Sequence, residues 1–183
     1  GKIQPVTEVK ISPDVSGEII QLPVIEGIQV KKGDLLARIN PDIYVSTVDR
    51  LEAALNTSKA NLANTKAREA QAQAQFINAE TSFKRTEQLH NQNAISDSEL
   101  DASRAQYLVA KAEIEAAKQS VVASEYQVKS AEAAVKEGHE SLAKTSIYAP
   151  IDGTISRLDV ETGERVVGTS QFAGTEIMRI ANL

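Results

Sequence analysis

The middle of the chain carries apolar and small side chains that recur in alternating steps of three and four residues. The first run of these positions is Val48, Leu51, Leu55, Ser58, Leu62, Thr65, Glu69, Ala72, Phe76, Ala79, Phe83 and Thr86. The second run is Leu100, Ser103, Tyr107, Ala110, Ile114, Ala117, Val121, Ser124, Val128, Ala131, Val135, Gly138 and Leu142. A heptad seam held over about six heptads predicts two helices in a coiled coil, each about 70 Å long.

The two ends of the chain read as short alternating strands with turns, and they resemble each other. Residues equivalent at the constant offset of 153 − 17 = 136 are Gly17 and Gly153, Ile19 and Ile155, Leu22 and Leu158, Val24 and Val160, Gly27 and Gly163, and Val30 and Val166. After a longer turn at 168–174, Leu36, Arg38 and Ile39 match Ile177, Arg179 and Ile180. Chance similarity of two strand–turn–strand stretches is the alternative to a true repeat.

Each half of this repeat is too small to bury an apolar face of its own, whereas two halves together can close a sandwich. The segment between the halves must then leave and return to the same place, which predicts an antiparallel hairpin. We therefore predict an α+β fold with half-domains at 1–40 and 146–183. The helical hairpin should occupy 41–145, with its tip near 90–96.

The limits of the two helices are marked by local signals. Asn40, Pro41 and Asp42 are typical of a helix start, although the sequence does not decide whether Asn40 or Asp42 is the cap. At the far end Thr145 begins the return to strand, and Pro150 forbids a helix beyond it.

The predicted tip has a break followed by a well-specified helix start. The segment 90–93, His-Asn-Gln-Asn, has low helix propensity. Ser96 and Glu99 have the spacing of a capping box, and Ile95 and Leu100 that of a hydrophobic staple. The tip should therefore be ordered.

Composition narrows the range of possible functions. The chain has 183 residues, 4% aromatic residues, no Cys and a net charge of −5. The acidic balance argues against nucleic-acid binding, and the absence of Cys excludes disulfides and thiolate metal sites. No run reaches the roughly 18 apolar residues of a spanning helix, and no signal peptide is visible. Because the chain opens at Gly1 and stops just after a strand-like run, we expect a trimmed stretch of a longer protein.

A split repeat, a coiled-coil hairpin and a tip triplet occur together here. The triplet is Arg85, Leu89 four residues on and Ser96 seven further, which fits an Arg-x3-Leu-x6-Ser motif, and residues 147–155 look like a return strand. This combination resembles the periplasmic adaptors, or membrane fusion proteins, of the HlyD-like family. The resemblance implies a hairpin inserted between two halves of a lipoyl/biotinyl-like β-sandwich, also called a barrel-sandwich hybrid.

The resemblance also implies partners and a location. Arg85, Leu89 and Ser96 would contact a TolC-type outer-membrane channel, and an inner-membrane transporter, ABC or proton-driven, would be the second partner. The adaptor would self-associate side by side in the periplasm of a Gram-negative bacterium, anchored to the inner membrane. The polar residues off the seam fit a solvated surface, with lateral packing of copies as the alternative.

The sequence shows no group of residues with the pattern of a catalytic site. No Lys occupies the turn that carries lipoyl or biotin in carrier domains, because the hairpin replaces that turn. His90 and His139 lie about 70 Å apart at helical rise, and 31–34 lacks the spacing of a phosphate loop. We expect no catalytic, cofactor or metal site and no enzyme. The alternative function is a coiled-coil spacer whose tip binds no channel.

Overall fold

The computed structural model describes residues 7–170 and 173–182. Two long helices, α1 (Asp42–Asn91) and α2 (Asp97–Ala143), are flanked by eight short strands. The strands are β1 (Thr7–Ile11), β2 (Gly17–Gln21), β3 (Gln29–Val30), β4 (Leu35–Ile39), β5 (Ser146–Tyr148), β6 (Gly153–Leu158), β7 (Arg165–Val166) and β8 (Met178–Asn182). Residues 171–172 of the predicted longer turn, and 1–6 and 183 of the predicted halves, lie outside the described residues.

The strands form two four-stranded antiparallel sheets that both mix the two ends of the chain. One sheet has the order β1-β8-β6-β3, and the other has the order β5-β4-β2-β7. Replacing each strand of the first sheet by its repeat equivalent gives the second sheet in the same order. The predicted repeat is therefore a structural one, and neither half forms a sheet without the other.

Hydrogen bonds across the repeat show how the halves are joined. The Ile19 N–H donates to the Glu164 carbonyl at 2.9 Å, and the equivalent Ile155 N–H donates to the Ile28 carbonyl at 3.0 Å. Each half thus supplies the partner strand that the other half lacks. This reciprocal pairing satisfies backbone groups that a single half would leave open.

The apolar core of these sheets draws equally on both halves. Ile19 and Ile155 are each 1% exposed, and Ile39 and Ile180 are each fully buried. These are the positions that the repeat predicted to be equivalent. The expected sandwich built by both ends of the chain, and with it the α+β fold class, is confirmed.

The chain divides into two compact units, one of Gly1–Leu51 with Val135–Leu183 and one of Glu52–Ala134. The first unit holds the sheets and the adjoining turns of both helices. The second holds the rest of the helical pair. The domain limits inferred from sequence, 1–40, 41–145 and 146–183, stay a prediction.

Within the second unit the two helices pair antiparallel along the predicted seam. The Lys66 ammonium lies 3.7 Å from a Glu125 carboxylate oxygen. Nearer the tip, the Phe83 and Tyr107 rings stack with centroids 5.2 Å apart, and Phe76 lies 5.8 Å from Tyr107. Every predicted seam position is partly or wholly buried, while most residues between them are exposed. The heptad prediction is confirmed.

Small residues on the seam allow close approach of the helices. A β-carbon at Gly138 would lie 2.9 Å from the Leu51 Cδ1 atom and 3.4 Å from the Val48 Cγ2 atom. Large side chains of α1 therefore fill the space left by a missing side chain of α2.

The start of α1 resolves the open choice of cap. The Asn40 Oδ1 atom accepts the Asp42 N–H at 3.0 Å. The Pro41 carbonyl accepts the first helical bonds, from Tyr44 and Val45, both at 2.9 Å. The side chain of Asn40, not that of Asp42, thus caps the start of α1, and Pro41 lies just before Asp42, where its missing N–H costs nothing.

Candidate functional site

The segment that joins the helices begins with a specific helix stop. Asn93 has a φ of 56°. The Asn93 N–H donates to the His90 carbonyl and the Ala94 N–H donates to the Leu89 carbonyl, both at 2.9 Å. These are the two bonds of a Schellman motif with Asn in the left-handed position. The stop lies within the predicted break at 90–93, although α1 continues through the first two residues of that segment to Asn91.

The start of α2 has the predicted capping box. The Ser96 Oγ atom accepts the Glu99 N–H at 3.2 Å, and the Glu99 carboxylate accepts the Ser96 N–H at 3.3 Å. Ile95 is partly buried and Leu100 is 9% exposed, as a staple requires. Specific hydrogen bonds therefore fix the backbone on both sides of the tip turn.

A side-chain pair spans the turn and was not predicted from sequence. The His90 Nε2 atom lies 2.6 Å from the Asp97 Oδ1 atom. His90 is in the last turn of α1 and Asp97 in the first turn of α2, where the helix dipoles favour a cation and an anion respectively. This pair ties the two helix ends together. A spacing of seven across an irregular turn gives no readable sequence signal.

Arg85 and Leu89 lie on α1 just before the turn and face away from the seam. Both are exposed, Leu89 by 38%, whereas Phe83 and Thr86 of the same turns are partly buried. Arg85 has no ion pair among the residues that the structure describes. Because residues four apart share a helix face, guanidinium and isobutyl groups are presented side by side.

Arg85 also borders a shallow polar groove of about 460 Å³ on the hairpin surface. The other residues of this groove are Gln75, Asn78, Ala79, Thr81, Ser82 and Gln106. Amide and hydroxyl groups predominate, so the groove can exchange hydrogen bonds with polar groups of a partner. The sequence did not show this groove, because it combines residues of both helices.

Aromatic packing supports the last turns of α1. The Arg104 guanidinium lies 6.0 Å above the Phe83 ring, which stacks on Tyr107. The heptad pattern placed Phe83 and Tyr107 on the seam but gave no sign of the Arg104 contact. Stacked rings and a cation over one ring face favour a fixed arrangement. These contacts therefore fix the last turns of α1, which present Arg85 and Leu89.

The structure brings the three predicted residues to one end of the helical pair: Arg85 and Leu89 on the last turns of α1, and Ser96 at the start of α2. The groups there can donate hydrogen bonds and bury apolar area. Within 7–170 and 173–182, no cluster of three His, Cys, Asp or Glu side chains could hold a metal ion. In the same ranges, neither helix combines the length and apolarity needed to cross a membrane.

Comparison with known protein families shows which family the chain belongs to. The family described as "RND MFP, barrel-sandwich hybrid domain" matches residues 7–175. This protein belongs to that family. The predicted resemblance to periplasmic adaptors, or membrane fusion proteins, is thereby confirmed, together with the hairpin inserted in a barrel-sandwich hybrid.

Individual relatives cover the chain to different extents. The multidrug resistance protein MdtA of Escherichia coli strain K12 is 32% identical over 105 residues, which are 57% of this chain and 22% of MdtA. The crystal structure of MacA from Actinobacillus actinomycetemcomitans is 32% identical with a TM-score of 0.58, covering 98% of this chain and 51% of MacA.

A third similar protein is another solved structure. The putative efflux transporter from Bacteroides eggerthii is 28% identical with a TM-score of 0.52, covering 98% of this chain and 40% of that protein. The chain therefore spans about half or less of each of these relatives. The two structures match nearly the whole chain, and so both the sandwich and the hairpin.

Proposed function

We propose that this protein is the adaptor subunit of an efflux or secretion system in the periplasm of a Gram-negative bacterium. In this proposal it is anchored to the inner membrane and links a transporter there to a TolC-type outer-membrane channel. The observation that carries the proposal is the ordered tip, which presents an unpaired Arg85 beside an exposed Leu89 in a chain of the adaptor family. The relative MdtA is named as a multidrug resistance protein, which supports efflux.

Each tip residue has a physical role in the proposed contact. The Arg85 guanidinium can donate two parallel hydrogen bonds to carboxylates or to carbonyls at the ends of a partner's helices. Leu89 supplies apolar contact area next to it. Ser96 caps α2 and so fixes the direction in which the turn leaves α1. A rigid tip loses little conformational entropy on binding, which favours affinity.

The remaining partners follow from the family and from the helix surfaces. The family description names the RND class, so an RND-type transporter is the proposed inner-membrane partner. The exposed faces of the hairpin carry apolar side chains, among them Ile77 at 52% and Leu108 at 54%. In this proposal, copies of the protein associate side by side through these faces.

The test is transport by cells in which the protein's tip is altered. Arg85→Asp and Leu89→Asp should each abolish export, because a carboxylate replaces the donor or the apolar contact while neither side chain is needed for folding. The matched control is Arg68→Asp, an exposed position on α1 outside the tip, which should export normally. Full export by both tip variants would favour the spacer function and reject channel docking.

A further inference from the structure

The internal repeat gives several residues on the outside of one sheet an equivalent on the outside of the other. Arg38 on β4 and Arg179 on β8 are such a pair, and their neighbours in register are also equivalent. One irregularity also corresponds, since the register shifts after Ile19 in one sheet and after Ile155 in the other, whereas the shift between Leu35 and Ala37 in the β4–β5 pair has no counterpart in the β1–β8 pair. The side chains at equivalent positions of the two sheets can therefore be compared directly.

Around Arg179 the charged side chains on the outer face of the sheet are paired with one another. The Arg179 guanidinium forms an ion pair with Glu176 and lies 3.7 Å from a Glu8 carboxylate oxygen. Ser156 donates a hydrogen bond to Glu8 at 3.0 Å, and Lys10 lies 3.9 Å from Glu176. This arginine has its carboxylates within its own chain.

Around Arg38 the equivalent positions carry different side chains. The residues equivalent to Ser156, Glu176 and Ser12 are Ile20, Leu35 and Tyr148. Ile20 is 45% exposed and Tyr148 is 55% exposed. Leu35 and Tyr148 are direct cross-strand neighbours. We call Ile20, Leu35, Arg38 and Tyr148 the β4 face.

Arg38 itself is exposed, and no carboxylate of residues 7–170 and 173–182 lies within 4 Å of it. The place of Glu8 is taken by Lys144, at the same offset of 144 − 8 = 136. The β4 face thus has an unpaired guanidinium and three apolar side chains. The three apolar side chains are not required by the repeat, because the equivalent places around Arg179 hold Ser and Glu.

We infer that the β4 face is a docking surface for a segment of a partner protein that presents a carboxylate beside apolar side chains. Charge complementarity selects this occupant: Arg179 shows that a guanidinium at this place in the sheet takes carboxylates, and the β4 face has none of its own. Ile20, Leu35 and Tyr148 supply the apolar contact. This inference is independent of the tip, because all of its residues lie on the sandwich.

The probe is a peptide of alternating Leu and Glu, compared with the same peptide carrying Gln in place of Glu. Titrated into the 15N-labelled chain, the Glu peptide should shift amide signals of β2, β4 and β5 only. It should bind about fivefold tighter than the Gln peptide, the size expected of one exposed charge pair. Arg38→Gln should remove this preference, and Tyr148→Ser should weaken both peptides equally.

The control variant is Ile25→Glu, an exposed apolar residue outside the β4 face whose repeat equivalent is Glu161. It should bind both peptides as the unaltered chain does. Absent or scattered shifts, or a Glu preference that survives Arg38→Gln, would overturn the inference. Sedimentation velocity tests whether a second copy of the chain occupies the β4 face instead. Self-association that Tyr148→Ser abolishes would assign the face to a second copy and would also overturn the inference.

Discussion

Gly153 lies so close to Ile180 that a β-carbon on the glycine would be 2.7 Å from the Ile180 Cγ2 atom. The same β-carbon would be 2.6 Å from the Ala181 carbonyl oxygen, which belongs to the backbone and cannot swing away. In the other half of the repeat, Gly17 has the same relationship to Ile39. A missing side chain at these two places lets β6 and β2 pack against fully buried isoleucines.

The first prediction concerns this contact. Gly153→Ala should destabilise the sheet by about 1–3 kcal/mol, because the added methyl group overpacks a core that has no room for it. Native-state hydrogen exchange of the β6 and β8 amides measures the local loss. Glu161→Ala, an exposed change in the same half, should leave that exchange within about 0.5 kcal/mol of the unaltered chain. Equal protection in both variants would refute the close packing.

The second prediction separates capping from binding at Ser96. Ser96→Ala should lower the stability of the first turn of α2 by about 1 kcal/mol, because the Glu99 N–H loses its acceptor. Ser96→Asp restores an acceptor and should keep that stability. Hydrogen exchange of the 97–100 amides measures both. Failure of a well-folded Ser96→Asp variant to support transport would show that the hydroxyl also contacts the partner.

The third prediction concerns pH. The hydrogen bond and charge of Arg179 hold the pKa of the Glu176 carboxyl below its ordinary value of 4.5, and the same pair raises the pKa of Arg179. Because the folded pKa is lowered, this pair stabilises the fold fully above the ordinary value, and the contribution is lost as pH falls through the lowered pKa. A carboxyl NMR titration should place the Glu176 midpoint below 4.5. A midpoint at or above 4.5 would contradict the ion pair.

Much of the fold was predictable because two patterns in the sequence were regular. The steps of three and four in the runs 48–86 and 100–142 fit one geometry that buries the small seam residues, a pair of coiled helices. The repeat offset predicted that Ile19 and Ile155 would be equivalent. It did not predict that each sheet would take strands from both halves, because strand exchange depends on three-dimensional pairing that an offset does not encode.

The candidate site was predictable only in part. Ser96 and Glu99 were readable as a capping box because that signal is local in sequence. The left-handed helix stop at Asn93 was not readable in the sequence. Asn adopts the left-handed conformation only occasionally, and tertiary context decides where it does so. The His90–Asp97 pair and the stacking of Arg104 on Phe83 join residues on different helices, and no local pattern reports them. The β4 face became visible only when both sheets could be superimposed through the repeat.

The proposed adaptor function depends on the tip, and its binding can be measured apart from transport. Purified chain and a purified TolC-type channel in detergent can be compared by surface plasmon resonance, with circular dichroism as the check on folding. Val45→Asp serves as the matched control for Leu89→Asp, because Val45 is an exposed apolar residue of the same helix outside the tip. Arg68→Asp is the corresponding control for Arg85→Asp.

The account predicts that Arg85→Asp and Leu89→Asp each weaken binding about tenfold or more, as loss of an interface hot spot does. The two control variants should bind like the unaltered chain. If both tip variants are well folded and bind the channel with unchanged affinity, the tip is not the docking site and the proposed mechanism is wrong.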